Sequence, residues 1–446
     1  MRDEVKPRLS AEQVLALAPD ASSRRAARSL ATPARWRDAG HSPDPPNLWG
    51  VCEGSGANPY QTGIDLTEPA YRCSCPSRKV PCKHALALML LWSAGGIVTV
   101  EPPEWVTEWQ TSRTDRKKQA ATRAQARNES RAAKQAEPEQ GPKKTAQRRA
   151  ERVEAGLEEL DRWLADQVRQ GIAGASRGGY AHWDRMASRL VDAQAPALAS
   201  TVRRLASVAT SPDRLLTELS LIRLLVAGNR RADQLPADLA ATVRARIGFP
   251  IATDDVLAGP RVRDEWAVVG VRDDGDERLM VRRFWLYGVA TNRPALVLSF
   301  AGPGQQLAAD LLLGTTVDAD LCFYPGALPL RALVATRYAP AAPFAEPFGA
   351  VTVARALDTY AEALAAEPWL DRWPVLLAGV VAVEDTPVRW HLLDRDGDAL
   401  PLDPAIEPPW WLVAAAGGRP ATVAAEWTPA GLRPFTAWCD GRLVRP

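Results

Sequence analysis

The run Cys73-Ser-Cys75-Pro-Ser-Arg-Lys-Val-Pro-Cys82-Lys-His84 restricts this chain more than any other feature of it. Cys73 and Cys75, two positions apart, fall on the same side of an extended strand, so both sulfurs can reach one ion. Cys82 and His84 are also two apart, a spacing that on an ideal helix points side chains about 200° away from each other. Cys82 is therefore expected in the turn before a helix and His84 in its first turn, with Pro81 setting the entry. The helix then runs from Ala85 to Trp92, apolar nearly all round and thus buried. Three thiolates and one neutral imidazole form a tetrahedral set that favours Zn2+. With all four positions filled by protein, none is left for a reactive water, so one structural zinc is expected. Arg72, Arg78, Lys79 and Lys83 surround the site, and such cations are expected to favour the thiolate form.

The remaining composition narrows the class. Six cysteines in 446 residues are too sparse for a disulfide scaffold. Cys52, Cys322 and Cys439 read as core residues of a protein in a reducing compartment. At 46% hydrophobic residues the chain can bury a large core, and its length suggests about three domains. Residues 1–30 lack a signal-peptide core, and the longest uncharged stretch, Ala85 to Val100, is 16 residues. That is short of the roughly 20 needed to span a bilayer, so a cytoplasmic protein without membrane association is expected.

A net charge of +2 conceals a division. Residues 111–150 hold 12 Lys/Arg against 4 Asp/Glu, net +8, whereas residues 1–110 balance at 12 each and the rest carries −6. Residues 111–150 also contain no Leu, Ile, Val or aromatic residue, so they read as a solvated basic linker, extended or transiently helical. The sequence thus predicts an α+β multidomain protein. Helices fill residues 1–46, a zinc finger 47–110, the basic linker 111–150, a helical region 151–250 and a Trp-rich, mainly β region 251–446. The first part contains a capping box, Ser10 with Gln13, and the finger a hairpin or meander through Leu48–Cys52 and Tyr60–Leu66.

After the linker, Val153, Leu157, Leu160, Leu164 and Val168 recur along one helical face, followed by helical patterns at Met186–Ala209, Asp213–Val226 and Ala237–Ile247. Strands are expected at Trp266–Val271 and Leu279–Tyr287 around the turn signal Asp273-Asp-Gly275-Asp, and at Ala295–Phe300. A second set follows a helix at Val353–Ala366, with strands at Val375–Val383, Val388–Leu393, Trp410–Ala416, Ala421–Trp427 and Phe435–Cys439. Asp264-x-Trp266 with Arg283-x-Trp285 is echoed by Asp371-x-Trp373 with Arg389-Trp390, which suggests two diverged units.

The Cys-x-Cys, short spacer, Cys-x-His and apolar helix, preceded by Gly54-Ser-Gly56 and Pro59-Tyr60, resemble the SWIM-type zinc finger of bacterial SWIM proteins over about Leu48–Trp92. The resemblance implies a small ββα unit with the first cysteine pair on the strands and the last pair of ligands at the helix start. It also implies binding of DNA or of other proteins. Bacterial members of this layout are associated with AAA+ ATPases and von Willebrand A-type proteins, which are the protein partners it suggests.

Other chemical signals are weak. Asp394-x-Asp396-Gly397-Asp398 is similar to a calcium loop but lacks the downstream bidentate Glu, and reads as a hairpin turn. His41, His182 and His391 lie near no nucleophile motif, and no phosphate-binding glycine motif occurs, so a non-enzymatic protein is expected. The leading functional expectation is a protein-interaction adaptor. The alternative is a DNA- or RNA-binding protein using Arg72, Arg78, Lys79 and Lys83 on the finger with Arg116, Lys117 and Lys118 of the basic segment.

Overall fold

The computed structural model describes residues 9–53, 59–66, 69–77, 79–115, 141–172, 179–275, 279–302, 305, 307–386 and 389–446. Two short helices open the chain, α1 (Ala11–Ala16) and α2 (Ala21–Leu30). The Ser10 hydroxyl accepts from the Gln13 backbone while the Gln13 side chain accepts from the Ser10 backbone, completing the expected capping box. Next come β1 (Trp36–Pro43), β2 (Pro46–Cys52), β3 (Tyr60–Asp65), β4 (Ala70–Cys73), α3 (Lys83–Ser93), β5 (Val98–Thr99) and a helix α4 over residues 104–115. The strands form one sheet in the order β4-β3-β2-β1-β5.

β1 lies where only helices were expected. Its inward residues are Trp36, Gly40 and Ser42, so the hydrophobic alternation that marks a strand is nearly absent. Gly40 is needed there, because a Cβ would fall 2.7 Å from the Trp49 ring and 2.4 Å from Val100.

Five helices form the next layer: α5 (Gly141–Gln170), α6 (Gly179–Asp192), α7 (Pro196–Val208), α8 (Pro212–Arg230) and α9 (Ala237–Ile247). Their shared core includes Leu157, Leu160, Trp183, Leu190, Leu205, Ile222 and Val243. α5 reaches into the segment read as linker, and its stripe ends differently from the expected one. Val168 is exposed, and Gln167 is buried in its place, its Oε1 accepting from His182 Nε2 at 2.8 Å. The Met186–Ala209 pattern is broken into two helices at Gln194, which takes a left-handed φ of 63°.

The C-terminal half is β-rich. After α10 (Thr253–Leu257) come β6 (Arg261–Gly275), β7 (Met280–Gly288), β8 (Pro294–Ala301), β9 (Thr315–Phe323), β10 (Arg331–Arg337) and β11 (Ala342–Pro343). β6, β7 and β8 form a meander, β9 pairs with the free edge of β6, and β10 pairs antiparallel with β9 and parallel with β8. Five strands thus close into a barrel with connectivity 1-2-3-5-4-1, that of the OB fold.

The second set repeats this order. It consists of α11 (Val353–Ala366), β12 (Trp373–Thr386), β13 (Arg389–Leu393), β14 (Ala399–Pro401), α12 (Trp410–Ala416), β15 (Ala421–Thr428), β16 (Gly431–Cys439) and β17 (Arg442–Val444). β15 pairs with β12, β16 with β15, and a parallel bridge between Leu402 and Leu432 joins the third and fifth strands.

Trp410–Ala416 was expected as a strand and is helical. A short apolar run carries no periodicity that separates the two, and here Pro409 at the N-cap and Gly417 in the left-handed region at the C-cap decide for helix. Trp266 and Trp373 of the echoed motif both face barrel interiors, but Trp285 lies between the barrels whereas Trp390 is inside the second. Asp394 organises the acidic turn, accepting from the backbones of Asp396, Asp398 and Val353, so a turn and not a calcium loop is formed.

The barrels pack through Ala267, Val269, Trp285, Leu376, Ala424 and Trp438, and the Phe435 ring sits 2.0 Å from where a Cβ on Gly270 would be. The other layers rest on this body. The helical region meets it at Trp369, whose Nε1 donates to Leu221 O at 2.8 Å, and at the Arg246–Glu367 pair. The finger region meets it at Leu312, which is buried within the finger core, and at Arg445, which donates to Ala18 O.

The finger and helical regions are therefore held on one body apart from the chain that joins them. A chain cut once between residues 116 and 140 is expected to keep its halves together. Size-exclusion chromatography of the nicked protein should give one peak containing both pieces, and separate elution in native buffer would sink this reading of the interfaces.

Candidate metal centre

Cys73 ends β4, Cys75 follows two residues on, Cys82 is the N-cap of α3 and His84 lies in its first turn. This is the placement that the spacing requires: the strand supplies one pair and the helix start the other. The ligand atoms of Cys73, Cys75, Cys82 and His84 all lie within 4.8 Å of one another. Bonds of about 2.3 Å to sulfur and 2.0 Å to nitrogen put tetrahedral ligand atoms roughly 3.5–3.8 Å apart, a spacing that small side-chain rotations reach. The Cys73 sulfur is 3.6 Å from His84 Nδ1, so this ring nitrogen faces the cluster. Cys82 Sγ accepts from the Ala85 backbone at 3.5 Å, where the helix N-terminus favours negative charge.

Hydrogen bonding inside the cluster governs its protonation. The hydrogen bond from Cys82, then those from His84 and Thr62, bring the Cys73 thiol down to about 3 against the opposing effect of burial. Cys82, as the donor to that thiolate, is pushed up, and burial pushes Cys75 up. Zinc held by all three sulfurs would require the thiols that remain protonated to give up their protons, so its binding would be linked to pH.

The walls are built by residues with little signature of their own. Thr62 stands opposite Cys73 in the β3–β4 register and lies 3.2 Å from its sulfur. The Tyr60 ring packs on His84 with centroids 4.8 Å apart. α4 brings Trp105 and Trp109 against Gly63 of β3. Thr62 and Tyr60 could have been found from the strand period, since they alternate on the strand beside the cysteine pair; the return of α4 across the sheet leaves no local signal.

Comparison with protein families bears on this site directly. Residues 64–92 match the SWIM zinc finger, and residues 148–247, which span α5 to α9, match the SWIM-associated four-helix bundle domain. The chain carries a SWIM zinc finger followed by a SWIM-associated helical domain. Comparison with curated proteins and with solved structures found no match. The SWIM match begins inside β3 and ends inside α3, so it contains all four ligands. It binds zinc through a Cys3His set whose four positions are all protein, which makes the metal structural.

Among the described cations of this finger, Arg72 and Lys79 are engaged. Arg72 lies over the Trp105 ring at 5.9 Å, and Lys79 Nζ reaches Asp20 Oδ2 at 2.7 Å and Ser22 Oγ at 3.5 Å. That hydrogen bond from Lys79, with those from Ser22 and the Ser23 backbone, holds the Asp20 carboxyl well below the usual range. Lys83 is exposed at the first position of α3. Arg78, Arg116, Lys117 and Lys118 lie outside the described residues. Cys52, Cys322 and Cys439 are buried and unbridged, and Cys52 Sγ donates to Glu53 O rather than joining the cluster.

Proposed function

We propose that this protein is a non-enzymatic, cytoplasmic interaction adaptor in which zinc holds the finger together and the finger helps to hold a composite docking body. The observation that carries this reading is the internal engagement of the finger's cations. Lys79 is committed to Asp20, Arg72 to Trp105, and Arg113 to Asp65 with its guanidinium 5.7 Å from the Trp109 ring centroid. A phosphate-binding surface needs cations free to neutralise phosphates, and side chains that already satisfy one another supply less of it. Burial of α3 on every side but its ends points the same way, because this helix is core and offers no face to a groove. By the family resemblance, AAA+ ATPases and von Willebrand A-type proteins are the first partners to examine.

Among the described residues no helix is long and apolar enough to cross a membrane. The test is co-purification of the tagged full-length protein with and without nuclease treatment. The same protein partner at near-equal yield in both samples is expected. Recovery that disappears with nuclease would replace this reading with nucleic-acid binding, and no stoichiometric protein partner in either sample would overturn it.

A further inference from the structure

Where the finger region meets the β body the surfaces leave a cavity of about 420 Å³, a size suited to a small organic ligand. Its apolar wall comes from Leu17 of the N-terminal region, Leu311 and Leu312 from the β8–β9 connection, and Ile406, Trp411 and Phe435 from the second barrel. Three arginines, Arg272, Arg282 and Arg445, reach it with two carboxylates, Asp273 and Glu407.

The carboxylates do not serve Arg445. Asp273 is held by both Arg282 Nε at 2.7 Å and Arg282 Nη2 at 2.8 Å, and Glu407 is exposed at the rim. Arg272 has Asp274 at 3.5 Å. Arg445 donates to the Ala18 carbonyl, a neutral acceptor, and its Nε is buried with no hydrogen-bond partner among the described residues. The charged groups acting on it are Arg24 and Arg282, both cations, with Asp273 the one opposing charge. Burial, reinforced by these two arginines, brings Arg445 down to about 10. The Tyr71 hydroxyl, on the finger side, is likewise buried without a partner. Leaving a buried donor unmatched costs about 1–3 kcal/mol, more for a charged group, and here two such donors belong to residues lining one cavity.

We propose that this cavity is a binding site for a small organic carboxylate with an apolar body, its carboxylate taken by Arg445 and Tyr71 and its body by the Leu312–Trp411–Phe435 wall. The pairing would give Arg445 a carboxylate in direct contact, which Asp273, held by Arg282, does not supply, in a charge-assisted hydrogen bond of the stronger kind. Because the wall is drawn from the finger region and both barrels, an occupant would touch all three. This site is independent of the adaptor reading and of zinc binding.

The zinc-loaded full-length protein can be titrated with 8-anilinonaphthalene-1-sulfonate, an anion with an aromatic body, and the probe displaced with octanoate or, in parallel, octanol. The expected result is saturable binding at one site, with octanoate displacing the probe at a concentration at least about tenfold lower than octanol. Arg445→Met should bring octanoate to the level of octanol, and Tyr71→Phe should weaken octanoate by a smaller factor.

Should Arg445→Met lose zinc or circular-dichroism signal, Ala309→Phe fills the cavity from its lining while keeping Arg445, and is expected to abolish probe binding. Absence of saturable binding in the wild type, equal displacement by octanoate and octanol, or undiminished binding in a folded Arg445→Met or Ala309→Phe protein would each overturn the proposal.

Discussion

Replacing Cys75 or Cys82 by serine is expected to lower bound zinc from one ion per chain to less than about a tenth and to unfold the finger region. Binding of structural zinc contributes on the order of 10–16 kcal/mol to small sites of this kind, several times what the finger's short strands and one helix can supply without it. Cys82 carries a second function, because its sulfur also caps α3 at the Ala85 backbone. Its loss removes a ligand and a cap together, so Cys82→Ser should be the more damaging of the two.

α3 is the centre of the finger core, with Leu86, Ala87 and Leu88 fully buried, and that core includes Leu9, just before α1, with Val14 and Ala27 of the N-terminal helices. Unfolding should therefore spread to residues 9–30. Metal analysis with limited proteolysis checks this. Full zinc content in either variant would refute the ligand assignment, and zinc loss without new cleavage in the N-terminal region would refute the structural role.

The second large effect is expected at Glu426. This residue is completely buried between the barrels; it accepts from Trp285 Nε1 at 2.8 Å and from Arg372 Nη1 at 3.1 Å. Burial pulls the pKa of Arg272 and of Arg283 down, and Glu426 is among the charges that support both. Glu426→Ala would strand a buried indole donor, leave Arg372 without this partner, and leave Asp274 as the carboxylate paired with both Arg272 and Arg283. Breaking a buried pair in this way costs roughly 3–5 kcal/mol. For a β region of this size that is a fall of roughly 10 °C in its melting transition. Glu426→Gln, which keeps an acceptor for Trp285 and removes only the charge, should lose less. A thermal scan followed by tryptophan fluorescence gives the answer. A shift under about 2 °C, or equal losses in the two variants, would show that the network does not tie the barrels together.

How much of this was legible depended on whether local chemistry or distant contacts decided each element. Cys73, Cys75, Cys82 and His84 could be placed because strand and helix periods leave one arrangement in which four ligands at that spacing converge. α9 was legible from its punctuation, Pro236 before it and Gly248 beyond it at a φ of +118°. β1 was not, since Trp36, Gly40 and Ser42 become an inner face only once β2 and β5 flank them. β9 and β10 were also missed. Their pairing partners, β6 and β8, lie tens of residues away, and closure of the barrel is stabilised by contacts that no window of sequence contains. The pairing of Lys79 was hidden for a related reason: nothing near it in sequence announces that Asp20 comes to meet it.

The two barrels touch by different sides. The first uses β6, β7 and β8, with Trp285, Tyr287 and Leu296 among the contacts; the second uses β12, β15 and β16, with Leu376, Ala424 and Trp438. In barrels of this connectivity the outer side of strands two and three is where oligomeric ligands are usually gripped. The first barrel has spent that side on its neighbour, while β13 and β14 of the second keep theirs uncovered by the first. A contact of head-to-tail type does not close on itself. The body is consequently a polar stack with two unlike ends, and anything that docks along it can distinguish front from back.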